Sequence, residues 1–323
     1  MRGDATVVSG LTFGDSLRSV GGVAIILALI ETCSDSAELV TLLKILKGTL
    51  WRNALNLADM THVKGYEVVA GFLQRRPSFI TEDVVDEIMH IAGFGQSLQS
   101  GLLANIEACE HLILDIRMWR DINPLNAAKV LRGLQGLLAD GIYRDVNASV
   151  LDKIGIISFL CFYMDQPHVD VQACSHVTHT LQSFLDAVTV RVEHLHMLAQ
   201  FMLSCESTPA RQKVADGLHL HASGTIHRTE QEPAARPWLR ELLIQTLLWL
   251  VKTADTKRLA VVCASFEPIW FALMIQQSSL ESILALLHIL TVLLAENEAF
   301  CNCLLYTSPS PRDVEESRMP SSA

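Results

Sequence analysis

The sequence is poor in what strands, membranes and nucleic acids require. Only 6% of its residues are aromatic, whereas sheets favour aromatic and β-branched side chains. The Asn-Gly and Asp-Gly pairs that turn one strand into the next are nearly absent. Asp140-Gly141 follows a helical run and reads as a helix stop. No cluster of Lys and Arg occurs, and the net charge is −10. Binding to nucleic acid needs cations that displace counterions from phosphates, so no nucleic-acid partner is expected. An electrostatic membrane anchor is disfavoured for the same reason. The apolar runs Val23–Ile30, Leu242–Val251 and Ile283–Leu294 fall short of the ~20 residues of a membrane span. The first residues carry Asp4 and Asp15 and no apolar core, so no secretory signal is expected. The cysteines are scattered without a Cys-x-x-Cys pair, as in a reduced, cytoplasmic protein.

The chemistry-bearing patterns are also missing. There is no glycine-rich phosphate loop, nucleophile elbow or Cys-His signature, and Gly93-Phe-Gly95 is too short to count. Asp83, Asp86 and Glu87 are acids of a first helical turn, favoured there by the helix dipole. Histidines crowd between His168 and His227, including His176, His179, His194, His196, His219 and His221. Zinc needs three or four converging ligands, and two residues apart on a helix point away from each other. These histidines read as scattered on helix surfaces. A histidine-bound metal enzyme is the competing possibility. No catalytic residue, metal or cofactor is expected. Asn147-Ala148-Ser149 and Arg2-Gly3-Asp4 match a glycosylation acceptor and an integrin tripeptide by chance. Trp51, Trp119, Trp238, Trp249 and Trp270 lie in or beside apolar helices. Most belong to packing, and one or two to an interface.

What is present is helix. Half of the residues are hydrophobic, chiefly Leu, Ile, Val and Ala. Leu39, Leu42, Leu43, Leu46 and Leu50 form one stripe at the i, i+3, i+4, i+7 spacing of an amphipathic helix. Val130, Leu131, Leu134, Leu137 and Leu138 form another, and Leu242, Leu243, Leu247, Leu250 and Val251 a third. Pro77, Pro124, Pro167, Pro209, Pro233, Pro237 and Pro268 mark boundaries. Ser34-Asp35 and Thr81-Glu82-Asp83 look like N-caps. Polar stretches at Gly93–Gly101 and His219–Pro237 read as loops, the second extended, and neither divides the chain into domains.

A period is visible. Gly22 opens GVAIILALIE, Gly65 opens GYEVVAGFLQ, and Gly155 opens GIISFLCFYM. The first two lie 43 residues apart and the next 90 further on, near two more periods. An unmarked copy fits Ala108–Trp119. Such a period belongs to armadillo or HEAT-type repeats. The fold class is all-α, an α-solenoid of roughly seven helical repeats. Each glycine is expected where backbones approach closely. The solenoid is assigned to 17–302, after an N-terminal segment 1–16. The stretch 303–323, CLLYTSPSPRDVEESRMPSSA, resembles a translated sequencing adapter. It is expected to pack on nothing, and the natural protein to continue past Asn302. The last native helix, Leu280–Leu294, is apolar on nearly all sides, so the isolated chain is expected to be poorly soluble or oligomeric.

Three segments carry a resemblance. They are the Gly21-Gly22 opening with its KGYEVVAGFL partner around Lys64, Gly65 and Tyr66, then DIRMWRD with Asp115 and Trp119, and FEPIWFALMIQQ with Trp270. Together they resemble the α-solenoid region of the large BEACH-domain proteins, of the neurobeachin and autophagy-linked FYVE types. The resemblance implies a non-catalytic scaffold segment in vesicle trafficking or autophagy. Its partners would be other proteins and other domains of the parent. It implies cytoplasmic localisation at the periphery of endomembranes, with membrane association only through the parent. A regulatory HEAT or armadillo scaffold of another family is the alternative.

Overall fold

The computed structural model describes residues 12–94, 101–120, 123–166, 169, 171–205, 237–266, 268–276 and 279–296. All regular structure among them is helical. The chain forms two compact units, Met1–Val188 and Thr189–Ala323.

The first unit is built from helix triplets. Helices α1 (Phe13–Arg18), α2 (Gly22–Thr32) and α3 (Ser36–Leu50) make the first. Helices α4 (Ala54–His62), α5 (Gly65–Arg75) and α6 (Glu82–Ala92) make the second. In the third, α7 (Ile106–Ala108) runs on as a π-helical turn, Cys109–Ile113, followed by α8 (Pro124–Leu138). Helices α9 (Arg144–Lys153), α10 (Ile156–Met164) and α11 (Val171–Ala187) complete the fourth.

Local chemistry sets these boundaries. The Asp35 carboxylate accepts from the Glu38 amide at 2.8 Å and caps α3. Thr81 caps α6. Pro124 occupies the first turn of α8, where a missing N–H costs nothing. Every member of the Leu39 and Val130 stripes is buried. Full burial of one such side chain contributes about 1.5–3 kcal/mol, so these faces supply much of the driving force.

Stacking follows one rule. Helix α2 packs on α5, and α5 on the π-helical turn. Helix α3 packs on α6, α6 on α8, and α8 on α11. Second helices thus form one layer and third helices another. Long-range polar bonds repeat the same interval. Arg18 meets Asp59 41 residues on, and Lys47 meets Glu87 40 on. Gln74 donates to Asp115 across 41 residues, and Arg76 to the Cys33 carbonyl across 43. Lys129 reaches Glu82 across 47, and Gln135 donates to the His176 carbonyl across 41. Each triplet bonds to its neighbour, which is the organisation of a solenoid.

The second unit holds α12 (Val192–Ser204), α13 (Pro237–Thr253), α14 (Thr256–Ser265), α15 (Pro268–Gln276) and α16 (Leu280–Glu296). Helix α13 packs on α16, and α12 on α14. The starts of α13 and α16 lie 43 residues apart, the interval seen in the first unit. Helix α16 buries Ala285, Leu286, Ile289 and Leu293 and exposes Leu280, Leu284 and Leu287. Among the described residues no single helix is long and apolar enough to cross a membrane. The stretches 206–236 and 297–323, with the expected long loop and the adapter-like residues, lie outside the described residues.

The repeat glycines need a correction. Gly22 and Gly65 are first residues of their helices, whereas Gly155 precedes α10. Of these, only Gly65 is crowded, and by side chains rather than by backbone. A Cβ there would lie 2.7 Å from Met60 Cε and 3.1 Å from Leu27 Cδ1 of the preceding triplet. At Gly22 the nearest atom is Arg18 Cγ at 3.8 Å, and at Gly155 nothing lies within 4 Å. Those two are glycines because φ is +62° and +86°, a region costly to residues with a Cβ.

Candidate interaction surface

The motif residues divide into turns, plugs and braces. Gly21, Gly22 and Lys64 form turns between first and second helices. Gly21 has φ of +126° and Lys64 of +53°. Lys64 thus takes the left-handed conformation that Gly155 takes in the fourth triplet. Its side chain is exposed and pairs with Glu67 at 3.3 Å.

Tyr66 is buried on α5, and its hydroxyl accepts from Asn105 Nδ2 at 2.7 Å. Burial pushes its pKa up to about 12, against the opposing effect of the Asn105 bond. Asn105 also caps α7 by accepting from the Ala108 amide at 3.1 Å. Tyr66 therefore fixes the start of the next triplet. Asp115 braces in a similar way. It accepts from Gln74 of α5 at 3.1 Å and from the Arg117 guanidinium at 2.8 and 2.9 Å.

Trp119 is buried and shares a narrow gap with Ala127, Val130 and Leu131 of α8 and Phe159 and Tyr163 of α10. Its indole Nε1 has no hydrogen-bond partner. The ring plugs the junction between the third and fourth triplets. Trp270 belongs to the second unit. It packs against Phe266 at 4.6 Å and edge-on against Phe271 at 5.0 Å, and its Nε1 also lacks a partner. The structure does not bring the seven motif residues of the first unit together. They serve separate junctions.

Two buried asparagines escaped sequence reasoning. Asn56 Nδ2 donates to the Gly14 and Thr49 carbonyls at 3.1 and 3.0 Å. Asn147 Nδ2 donates to the Gly101 and Leu137 carbonyls. Asn56 clamps α1, and Asn147 the loop at Gly101, to the end of a third helix. The signal was their spacing of 91 residues, two periods. Asn147, the apparent glycosylation acceptor, is buried and committed to this clamp.

The third-helix layer carries exposed polar residues on several helices. Thr41 and Lys44 of α3, Arg132 of α8, and His176 and His179 of α11 are exposed on it. Bridges tie neighbouring helices beneath. Lys47 pairs with Glu87, and Lys129 pairs with Glu82 at 3.0 Å and Asp86 at 2.6 Å. Burial opposes the charge of Lys129, yet its hydrogen bonds to Asp86 and Glu82 hold its pKa above the usual lysine value. Gln135 donates to the His176 carbonyl at 3.1 Å. His194 departs from the surface expectation. It is buried at the start of α12 and accepts from the Arg191 amide at 3.3 Å. Among the described residues no three His, Cys, Asp or Glu converge as metal ligands. His168, His219, His221 and His227 lie outside them.

Stacked helix triplets, joined neighbour to neighbour, define the class as an α-solenoid. The comparisons narrow it. Residues 1–160 match the family described as the neurobeachin/BDCP DUF4704 alpha solenoid region. Over those residues the chain belongs to the α-solenoid region of the neurobeachin-type BEACH proteins. WD repeat- and FYVE domain-containing protein 4 of Mus musculus is 23% identical over 269 residues, which is 81% of this chain and 8% of that protein. The Homo sapiens protein of the same name is 23% identical over 268 residues, again 81% and 8%. Protein SPIRRIG of Arabidopsis thaliana is 32% identical over 110 residues, 34% of this chain and 3% of that protein. The chain spans less than a tenth of these relatives. No solved structure matches.

Proposed function

We propose that this chain is a non-catalytic scaffold segment of a large BEACH-type protein acting in vesicle trafficking or autophagy. It would bind other proteins, and other domains of its parent, through the exposed third-helix layer. The supporting observation is the neighbour-to-neighbour stacking of the first unit. It commits buried polar groups such as Asn56, Asn147 and Asp115 to joining triplets and leaves an exposed polar layer for partners. Family membership over residues 1–160 favours a BEACH parent over a regulatory HEAT or armadillo scaffold. On this reading the protein is cytoplasmic and reaches endomembranes through its parent, without cofactor or metal.

The test is a surface variant. Lys44→Glu with Arg132→Glu alters exposed residues on the third-helix layer and should leave thermal unfolding unchanged. Proteins that co-purify with the wild-type chain from cytosol should be lost with the variant. Retention of all of them would overturn the assignment of this surface.

A further inference from the structure

The connection from α5 to α6 reads Arg75-Arg76-Pro77-Ser78-Phe79, and Arg75-Arg76 is the only pair of adjacent arginines in the chain. Kinases select substrates by charge pattern. Arginines three and two positions before a serine, with an apolar residue after it, fit the acidic groove of an arginine-directed serine/threonine kinase. Pro77–Phe79 forms a single 3-10 turn. Ser78 is exposed on it, and its hydroxyl makes no hydrogen bond among the described residues.

The two arginines differ in what the fold asks of them. Arg75 is exposed and has no hydrogen bond or ion pair among the described residues, so its guanidinium serves no junction. Arg76 is a tether. It donates to the Cys33 carbonyl of the first triplet at 2.7 Å and lies over the Phe72 and Phe79 rings at 5.1 and 5.4 Å. The turn itself is held by the Phe79 amide on the Arg76 carbonyl and the Ile80 amide on the Pro77 carbonyl, both at 3.0 Å. A single turn held by so few bonds opens locally at low cost, and a kinase must extend the segment to use it.

We propose that Ser78 is a phosphorylation site for an arginine-directed kinase, and that its phosphate takes Arg76 from the Cys33 carbonyl. In the transfer, Ser78 Oγ attacks the γ-phosphorus of ATP held with magnesium in the kinase. The new O–P bond replaces the bond from that phosphorus to the β,γ-bridging oxygen. ADP leaves, and the hydroxyl proton passes to the aspartate base of the kinase. The product carries about −1.5 to −2 charges at neutral pH. A guanidinium binds phosphate more strongly than it binds a neutral carbonyl. Arg76 stands two residues away, against the Phe79 ring that neighbours Ser78. Glu82 and Asp83, beyond the turn, repel the phosphate. Arg76 therefore moves to the phosphate, and the tie between the first and second triplets loosens.

The whole 323-residue chain, incubated with magnesium–ATP and the catalytic subunit of cyclic AMP-dependent protein kinase, tests this. Mass spectrometry should place phosphate on Ser78, and Ser78→Ala should lose it. Arg75→Ala should slow incorporation at Ser78 at least tenfold while leaving thermal unfolding unchanged. Amide hydrogen exchange at Phe79 and Ile80 should be several-fold faster in the phosphorylated chain, and likewise in unmodified Arg76→Ala. A chain left unmodified at Ser78 would overturn the proposal, as would incorporation that ignores Arg75→Ala. Unchanged exchange in the fully phosphorylated chain would overturn the release of Arg76.

Discussion

Asn56 and Asn147 perform one task in two settings. Both are buried near the start of a first helix, and both donate through Nδ2 to two carbonyls. They differ at the other end of the amide. Asn147 Oδ1 accepts from the Leu103 amide at 2.9 Å, while Asn56 Oδ1 has no partner. The cause is local. The Ser16 amide, within the helical α1 that Asn56 clamps, is spent on the Thr12 carbonyl. Where the preceding segment is not helical, as at Leu103, its amide closes the third bond. The same residue thus stabilises different junctions to different degrees, according to the conformation of its neighbour.

This contrast sets the largest expected effect. Asn147→Ala strands two carbonyls and one amide, and stranding a buried group costs about 1–3 kcal/mol. A loss of ~3–4 kcal/mol in denaturant unfolding is expected, and a loss below that of Asn56→Ala would break the comparison. Gly65→Ala comes next. A Cβ must push aside Met60 and Leu27, and overpacking costs about 1–3 kcal/mol. Gly22→Ala meets no such crowding, and its loss of ~1 kcal/mol should come from backbone strain alone. Asn56→Ala removes two donors and also an orphaned acceptor, so about 2 kcal/mol is expected.

Tyr66 sharpens the picture through pH. Its ionisation is raised to about 12 in the folded chain, above the value near 10 of a free tyrosine. The neutral hydroxyl is therefore favoured in the fold. Its contribution is fully present below pH ~10 and disappears as pH rises towards about 12. Tyr66→Phe should flatten the alkaline loss of stability over that window, and an unchanged alkaline slope would refute the role given to burial. The smallest effect belongs to Lys64. Glycine at this left-handed turn should stabilise the chain by roughly 1 kcal/mol, seen as a small rise in melting temperature. A destabilised Lys64→Gly would mean that the Lys64–Glu67 pair outweighs the strain.

Much of the helical layout was legible in sequence. The Leu39 and Val130 stripes are the buried faces of α3 and α8, and Asp35, Thr81, Pro124, Pro237 and Pro268 stand at helix starts. These signals are local, set by side-chain period and backbone chemistry within one turn. The 43-residue interval was legible too, because a glycine recurs at the turn into each of α2, α5 and α10. The roles of the motif residues were not. Tyr66, Asp115 and Trp119 reach partners about one period away, and Asn56 and Asn147 carry no local signature.

By itself, then, the sequence determined the helices, their ends and the interval at which they repeat. These follow from hydrophobic spacing and from caps that act within a few residues. Only the tertiary structure decided which glycine was crowded and which merely turned, since crowding depends on the neighbouring triplet. It also decided that Leu29 stays bare while its counterparts Phe72 and Tyr163 are buried. The three read alike along the chain, and only their surroundings in the stack distinguish them.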